Sequence, residues 1–301
     1  MAVSERRASA SLDAAPVAGP LALVPVTLGP VDIGAALALS DAAGWNQTAD
    51  DWAVFIGRGH TIGRRSADGE LVATAAALPY GGGQGWISMV LVADAWRHRG
   101  LASRLLDEAV AHLREGGRTP VLDATPAGAA VYRQKGFVAG FEADRWEGPS
   151  IAMPRDGGAA AAHAAGPADL DVIAALDRAS TGLDRRFLIE SFLSRPASKA
   201  WRSADGSGFV IARAGRRAMQ VGPLVAADDA QAIALLEVAL ASGAANGRVF
   251  LDLARPRREV AAWLEGQGFV RQRPFVRMAL GAAEPPALGD GAFVLAGPEF
   301  G

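Results

Sequence analysis

Hydrophobic positions along this chain fall into two patterns that take turns. Trp86–Val92 (WISMVLV) is a short, almost continuous apolar run of strand length, and Leu101, Leu105, Leu106, Ala109 and Leu113 then recur at helical spacing. Pro120–Asp123 predicts a short strand, the stretch around Ala129–Lys135 a helix, and Gly136–Phe137 the opening of another strand. The same order returns later. Val221–Val225 reads as strand, Ala230–Ala241 as helix, Val249–Leu253 as strand and Ala261–Glu265 as helix, closed by Gly268–Phe269.

The two series align at Leu91–Val92 with Leu224–Val225, at Leu105–Leu106 with Leu235–Leu236, and at Gly136–Phe137 with Gly268–Phe269. They differ in one loop: 15 positions separate Leu91 from Leu106, whereas 12 separate Leu224 from Leu236. A mixed α/β fold class (α+β, mixed sheet) in two tandem domains follows. Pro154–Asp171 is rich in Ala and Gly and predicts a linker over 156–170. The first domain is then expected at 22–155, the second at 171–301, and a disordered tail at 1–21. Pro285–Pro286 and the closing Ala296–Gly301 read as a tail that packs late. The Gly81–Gly83 run precedes a strand, so it predicts a hairpin loop and not a phosphate cradle.

Composition narrows the function. The 301 residues are half hydrophobic and carry a formal net charge of -2, which argues against nucleic acid as a partner, because phosphate neutralisation needs an excess of Lys and Arg. There is no Cys, which excludes disulfides, thiolate metal sites and a Cys nucleophile. The four His (His60, His98, His112, His163) lack metal-ligand spacing, so no metal is expected. Met1–Pro20 holds no apolar leader run and the chain no membrane-length one, so a cytoplasmic protein without a membrane partner is expected.

The segment Trp96-Arg97-His98-Arg99-Gly100-Leu101-Ala102-Ser103 lies between a predicted strand and a predicted helix. A helix start offers unpaired N–H groups and partial positive charge, a good match for pyrophosphate. Gly100 and Ala102 let a ligand approach the backbone, and Arg97 and Arg99 add cations. A helix start with solvent-facing Arg would look similar.

Here the chain resembles the GNAT superfamily of acyl-CoA N-acyltransferases. Arg97, Gly100 and Ala102 match its R/Q-x-x-G-x-G/A signature, and Leu122–Phe137 (LDATPAGAAVYRQKGF) resembles its fifth strand and following helix, ending in Y-x-x-x-G-F. Ala43–Trp52 (AGWNQTADDW) and Ala296–Gly301 (AGPEFG) are similar to a bacterial tandem-GNAT subgroup with a degenerate C-terminal domain. The resemblance implies acetyl-CoA as co-substrate. The backbone of His98 to Ser103 would hold its pyrophosphate beside Arg97 and Arg99, and Val90, Leu91 and Val92 would pair with the pantetheine arm in an opening between strands four and five. It assigns Tyr132 as general acid to the departing thiolate and as one of the residues that bind the cofactor.

Other roles stay open. A backbone N–H around Leu91 is a candidate for polarising the thioester carbonyl. Asp123 could act as base, directly or through water, or cap the following turn. Trp45, Asn46 and Trp52 could wall an acceptor pocket, although two Trp seven apart also fit a core. Asp184, Arg185, Arg186 and Arg202 could bind an anionic part of the acceptor, but a solvated charged surface accounts for them as well.

The second copy has Ala226-Ala227-Asp228-Asp229-Ala230 in place of the Arg/Gly loop and Leu264 in place of Tyr132, so one coenzyme A per chain is expected. The expected reaction is acetyl transfer from acetyl-CoA to a primary amine of a small molecule or peptide. A non-catalytic acyl-CoA sensor is the alternative. A nucleotide-binding domain is disfavoured, since neither a P-loop nor a G-x-G-x-x-G string occurs.

Overall fold

The computed structural model describes residues 23–152, 162–243, 247–281, 285 and 287–301. The expected tail at 1–21, residues 156–161 of the expected linker and Pro286 lie outside these. In the first half, β1 (Val24–Thr27) leads to α1 (Ile33–Ala42), α2 (Ala49–Arg58), β2 (His60–Arg65), β3 (Leu71–Pro79) and β4 (Gln84–Val92). Then come α3 (Leu101–Glu115), β5 (Thr119–Ala124), α4 (Pro126–Gln134) and β6 (Phe137–Pro149). The second half repeats this with β7 (Ala162–Ala165), α5 (Leu170–Thr181), α6 (Arg186–Ser194), β8 (Lys199–Ser203), β9 (Phe209–Arg213) and β10 (Met219–Val225). It continues through α7 (Asp229–Ala241), β11 (Arg248–Ala254), α8 (Arg258–Gly266), β12 (Val270–Leu280) and β13 (Ala292–Val294). The predicted strands and helices of both series are present, extended by a few residues. None of the described helices is long and apolar enough to cross a membrane.

The strands form one 13-stranded sheet in the order β1-β2-β3-β4-β5-β12-β6-β11-β13-β10-β9-β8-β7. The halves therefore exchange their last strands: β12 pairs antiparallel with β5, and β6 with β11, while β6 and β12 pair with each other. Each exchanged strand carries an Arg directly opposite an Asp of its adopted neighbour. Arg277 donates twice to Asp123 at 2.9 Å, and Arg145 donates to Asp252 at 2.9 and 2.8 Å. All four side chains are buried. Burial raises the Asp123 carboxyl above its ordinary range, and Arg277 opposes that shift. Asp123 is thus neither a turn cap nor a free base. The cap of α4 is Thr125, whose hydroxyl accepts from Gly128 N.

Three other expectations are corrected. Part of the expected linker is structured, since Ala162–Ala165 forms β7 on Lys199–Ser203, and a 3-10 turn follows at Pro167–Asp169. Ala296–Gly301 is a buried plug between the halves and not a late-packing tail. Phe300 is fully buried, Tyr80 Oη and Arg185 Nη1 donate to its carbonyl at 2.8 and 2.7 Å, and Trp86 Nε1 donates to Pro298 O at 3.2 Å. Arg185 is no surface residue. It is buried in a two-bond pair with Asp177, while Arg186 and Arg202 pair outside the core with Asp171 and Asp169. The backbone carbonyl of Asp184 accepts from Gly81 N at the tip of the β3–β4 hairpin, which holds the Gly81–Gly83 run.

Arg277→Met would leave the Asp123 carboxylate buried without its counter-ion. Chemical denaturation is expected to show a loss of about 3–5 kcal/mol, with most of it restored in Arg277→Met/Asp123→Leu. No recovery in the double variant would contradict this account of the pair.

Candidate active site

Strand β4 pairs parallel to β5 only at its start, Gln84–Trp86 against Thr119–Val121. Beyond Trp86 the two diverge. A bulge forces the divergence: the β3–β4 register shifts between Thr74 and Ala76, and Met89 adopts a left-handed φ of 52°. Thr74 Oγ1 donates to Met89 O at 2.9 Å and holds the bulge. Among the described residues, the β5-facing edge of β4 beyond Trp86 therefore has no strand partner.

The chain leaves β4 through a 3-10 turn at Asp94–Trp96 and enters α3 at Gly100, whose φ of 74° suits glycine. A glycine N-cap supplies no side-chain oxygen, so the first-turn N–H groups of α3 have no side-chain cap. They open onto a groove of about 480 Å³. It is lined by Val90, Leu91, Val92, Arg97, His98, Gly100, Leu101, Ala102 and Ser103, along with Trp45. Of the residues expected around the phosphates, only Arg99 is outside the lining. Its guanidinium lies over the Trp96 ring at 5.0 Å and donates to Ala95 O. Arg97 lines the groove and pairs with Asp94 at 2.8 Å, on the surface.

A second cavity, about 410 Å³, adjoins the groove and shares Trp45 and Val90 with it. Tyr132 of α4 lines this cavity, with its ring 5.8 Å from that of Phe137. Gly128, one turn earlier, leaves room for the ring, since a Cβ there would lie 3.2 Å from Tyr132 Cε2. Burial raises the phenol pKa, so it stays protonated at neutral pH, and among the described residues its hydroxyl has no hydrogen-bond partner.

The acceptor-side residues separate. Trp45 lines both cavities. Asn46 lines the second one, but its amide is engaged by the other half: Oδ1 accepts from Arg217 N and Ala218 N, and Nδ2 donates to Ala218 O. Trp52 reaches neither cavity. It is fully buried, with Nε1 donating to Ser40 Oγ at 3.0 Å, so its role is in the core.

The sequence reading missed Glu299, because it lies in the closing segment. Glu299 is 8% exposed and lines the second cavity. Burial pushes its carboxyl above the ordinary carboxylate range, and the nearby Arg213 and Arg145 oppose this. A carboxylate between Pro298 and Phe300, within an otherwise apolar and glycine-containing hexapeptide, was the available signal. No cluster of His, Cys, Asp or Glu among the described residues is arranged to hold a metal.

The second half keeps the scaffold and fills the opening. Strand β10 pairs with β11 at Met219–Val221 and then diverges, and β13 occupies the gap, pairing with Leu224, Val225 and Leu253. At the start of α7, Asp228 accepts from Gln231 N at 2.8 Å, so that helix end is capped by its own carboxylate.

Residues 38–137 match the acetyltransferase (GNAT) family, and residues 173–290 match an acetyltransferase (GNAT) domain. No curated protein matches the chain. A solved structure from Pyrococcus horikoshii superposes with a TM-score of 0.78 at 18% identity, covering 97% of this chain and 99% of that one. A tandem GNAT protein from the clavulanic acid biosynthesis pathway gives 0.60 at 16%, covering 87% and 100%. A GCN5-related N-acetyltransferase from Kribbella flavida gives 0.55 at 22%, covering 85% and 71%. At these identities the likeness is one of fold.

A carboxyl whose folded pKa is raised contributes stability that is complete below its unfolded pKa and is lost as pH rises through the folded value. Glu299→Gln is therefore expected to melt at a higher temperature than the parent at neutral pH. That gap should close below about pH 4.5, near the ordinary glutamate value. Thermal melts from pH 4 to 8 check this, and a gap that widens toward acid would contradict it.

Proposed function

Because the chain belongs to the GNAT superfamily, with two of its domains in tandem, we propose that it is an N-acetyltransferase. It moves an acetyl group from acetyl-CoA to a primary amine of a small molecule or peptide, and it uses one acetyl-CoA site per chain. The observation that carries this reading is the contrast between the halves. In the first, a splayed strand pair and an uncapped helix start share a groove; in the second, β13 and Asp228 close the equivalent places.

The groove suits the co-substrate. The α3 N-terminus offers free N–H donors and partial positive charge for a pyrophosphate. The open edge of β4 offers backbone groups to the amides of a pantetheine arm, as an added strand would use them. Bound acetyl-CoA supplies the thioester: the amine nitrogen bonds to the acetyl carbon, the C–S bond breaks, and coenzyme A leaves as thiol.

Two protons must move, one off the nitrogen and one onto the sulfur. For the second, Tyr132 is the candidate donor: it lines the cavity that adjoins the groove, and burial keeps its phenol protonated. Asp123 lines the cavity but is disfavoured as acceptor of the first, because Arg277 donates to both of its oxygens.

Tyr132→Phe is expected to bind acetyl-CoA with unchanged affinity and to lose about 100-fold or more in thiol release with any accepted amine. Unchanged turnover would remove Tyr132 from the chemistry. A parent protein that binds acetyl-CoA but transfers to no amine would favour a non-catalytic acyl-CoA sensor.

A further inference from the structure

The second cavity has unmatched polar groups of two kinds. Gln47 Oε1 and Ser88 Oγ are buried and have no hydrogen-bond partner, while the Glu299 carboxyl accepts its own backbone N–H but has no ion-pair partner within 4.0 Å among the described residues. Buried polar atoms left without partners are costly, so two of them beside a buried carboxyl around one small space point to a missing ligand. Gln47 Oε1 and a Glu299 carboxylate accept only, which suits a group carrying several N–H donors.

The rim of the same cavity is cationic. Arg217, Arg248 and Arg273 line it, all three exposed. Arg248 is matched by Glu147 at 2.7 Å, whereas Arg217 and Arg273 have no carboxylate within 4.0 Å among the described residues. Arg273 rests over the Phe275 ring at 5.3 Å, and partial burial, then the neighbouring Arg145 charge, lower its pKa. An anion in the cavity would offset the Arg145 repulsion. Guanidinium forks suit carboxylate and phosphate alike.

We infer that the acceptor is a small amine that also bears an anionic group, its amine received by Glu299, Gln47 and Ser88 and its anion by Arg217 and Arg273. A cavity of about 410 Å³ is within the range for small molecules and too small for a folded protein surface. The inference rests on the acetyltransferase reading for the transfer step but not for binding. In that step the substrate ammonium gives one proton to the Glu299 carboxylate. The freed lone pair forms the N–C bond, a second N–H proton is then shed to solvent, and Tyr132 protonates the departing sulfur.

The test is calorimetric titration of the full chain without acetyl-CoA, using 4-aminobutyrate and L-glutamate as amino-carboxylates and O-phosphoethanolamine as an amino-phosphate. Butylamine and spermidine are the comparison amines. At least one anion-bearing amine should bind, about tenfold or more tighter than both comparison amines. Which arm binds tells carboxylate from phosphate. Arg273→Gln and Arg217→Gln, at exposed positions, should each weaken that binding by a similar factor and leave acetyl-CoA affinity unchanged. Butylamine or spermidine binding as tightly as every anionic probe would overturn the inference, and so would an affinity indifferent to both Arg substitutions. If anionic amines bind as expected but no thiol is released with acetyl-CoA present, the acceptor inference stands and the transferase reading falls.

Discussion

A cross-strand Arg–Asp pair, buried and repeated in each half, is the constraint on which this architecture depends. Arg277 opposite Asp123 and Arg145 opposite Asp252 hold each half's last strand inside the other half's sheet. A buried ion pair adds little net stability compared with a well-packed apolar pair, but it penalises every misalignment. Sliding β12 by one residue would leave Arg277 and Asp123 both buried and unpaired, which is why register is so well defined here. With register set, β12 also carries Arg273 and Phe275 to the wall of the second cavity, so the second half contributes to a cavity that the first half lines as well.

The two halves show how one scaffold is left open or closed. Both splay a strand pair, and both aim a helix start at the opening. In the first half, Gly100 withholds a cap and the space stays open. In the second, the chain's own β13 takes the position of an added strand, and Asp228 puts a carboxylate where a pyrophosphate would have to sit. The segment that follows β13 turns back between the halves and delivers Glu299 to the remaining cavity. Filling one site thus helps to complete the other.

Much of this was legible in the sequence because it is local. Apolar spacing marked the strands and helices, and the loop Arg97–Ser103 stood out by its glycine, its two arginines and its loss in the second copy. The strand exchange was not legible, since the alternation in Phe137–Pro149 and Val270–Leu280 fits either half's sheet equally well. The charged residues Asp123 and Asp252, at matching places in two apolar strands, were a trace of it. Asn46 and Glu299 illustrate the same limit. The amide of Asn46 is spent on a backbone 172 residues away, and Glu299 enters the site through a segment whose burial depends on both halves.

The central claim is a single acetyl-CoA site, built by β4 and the start of α3. Ala102→Glu puts a carboxylate on the exposed first turn of that helix, where negative charge favours the helix itself, so loss of binding would not reflect unfolding. Calorimetric titration of the full chain with acetyl-CoA should give one site per chain, and Ala102→Glu should abolish it. Two sites per chain, or binding unchanged in the variant, would contradict the account.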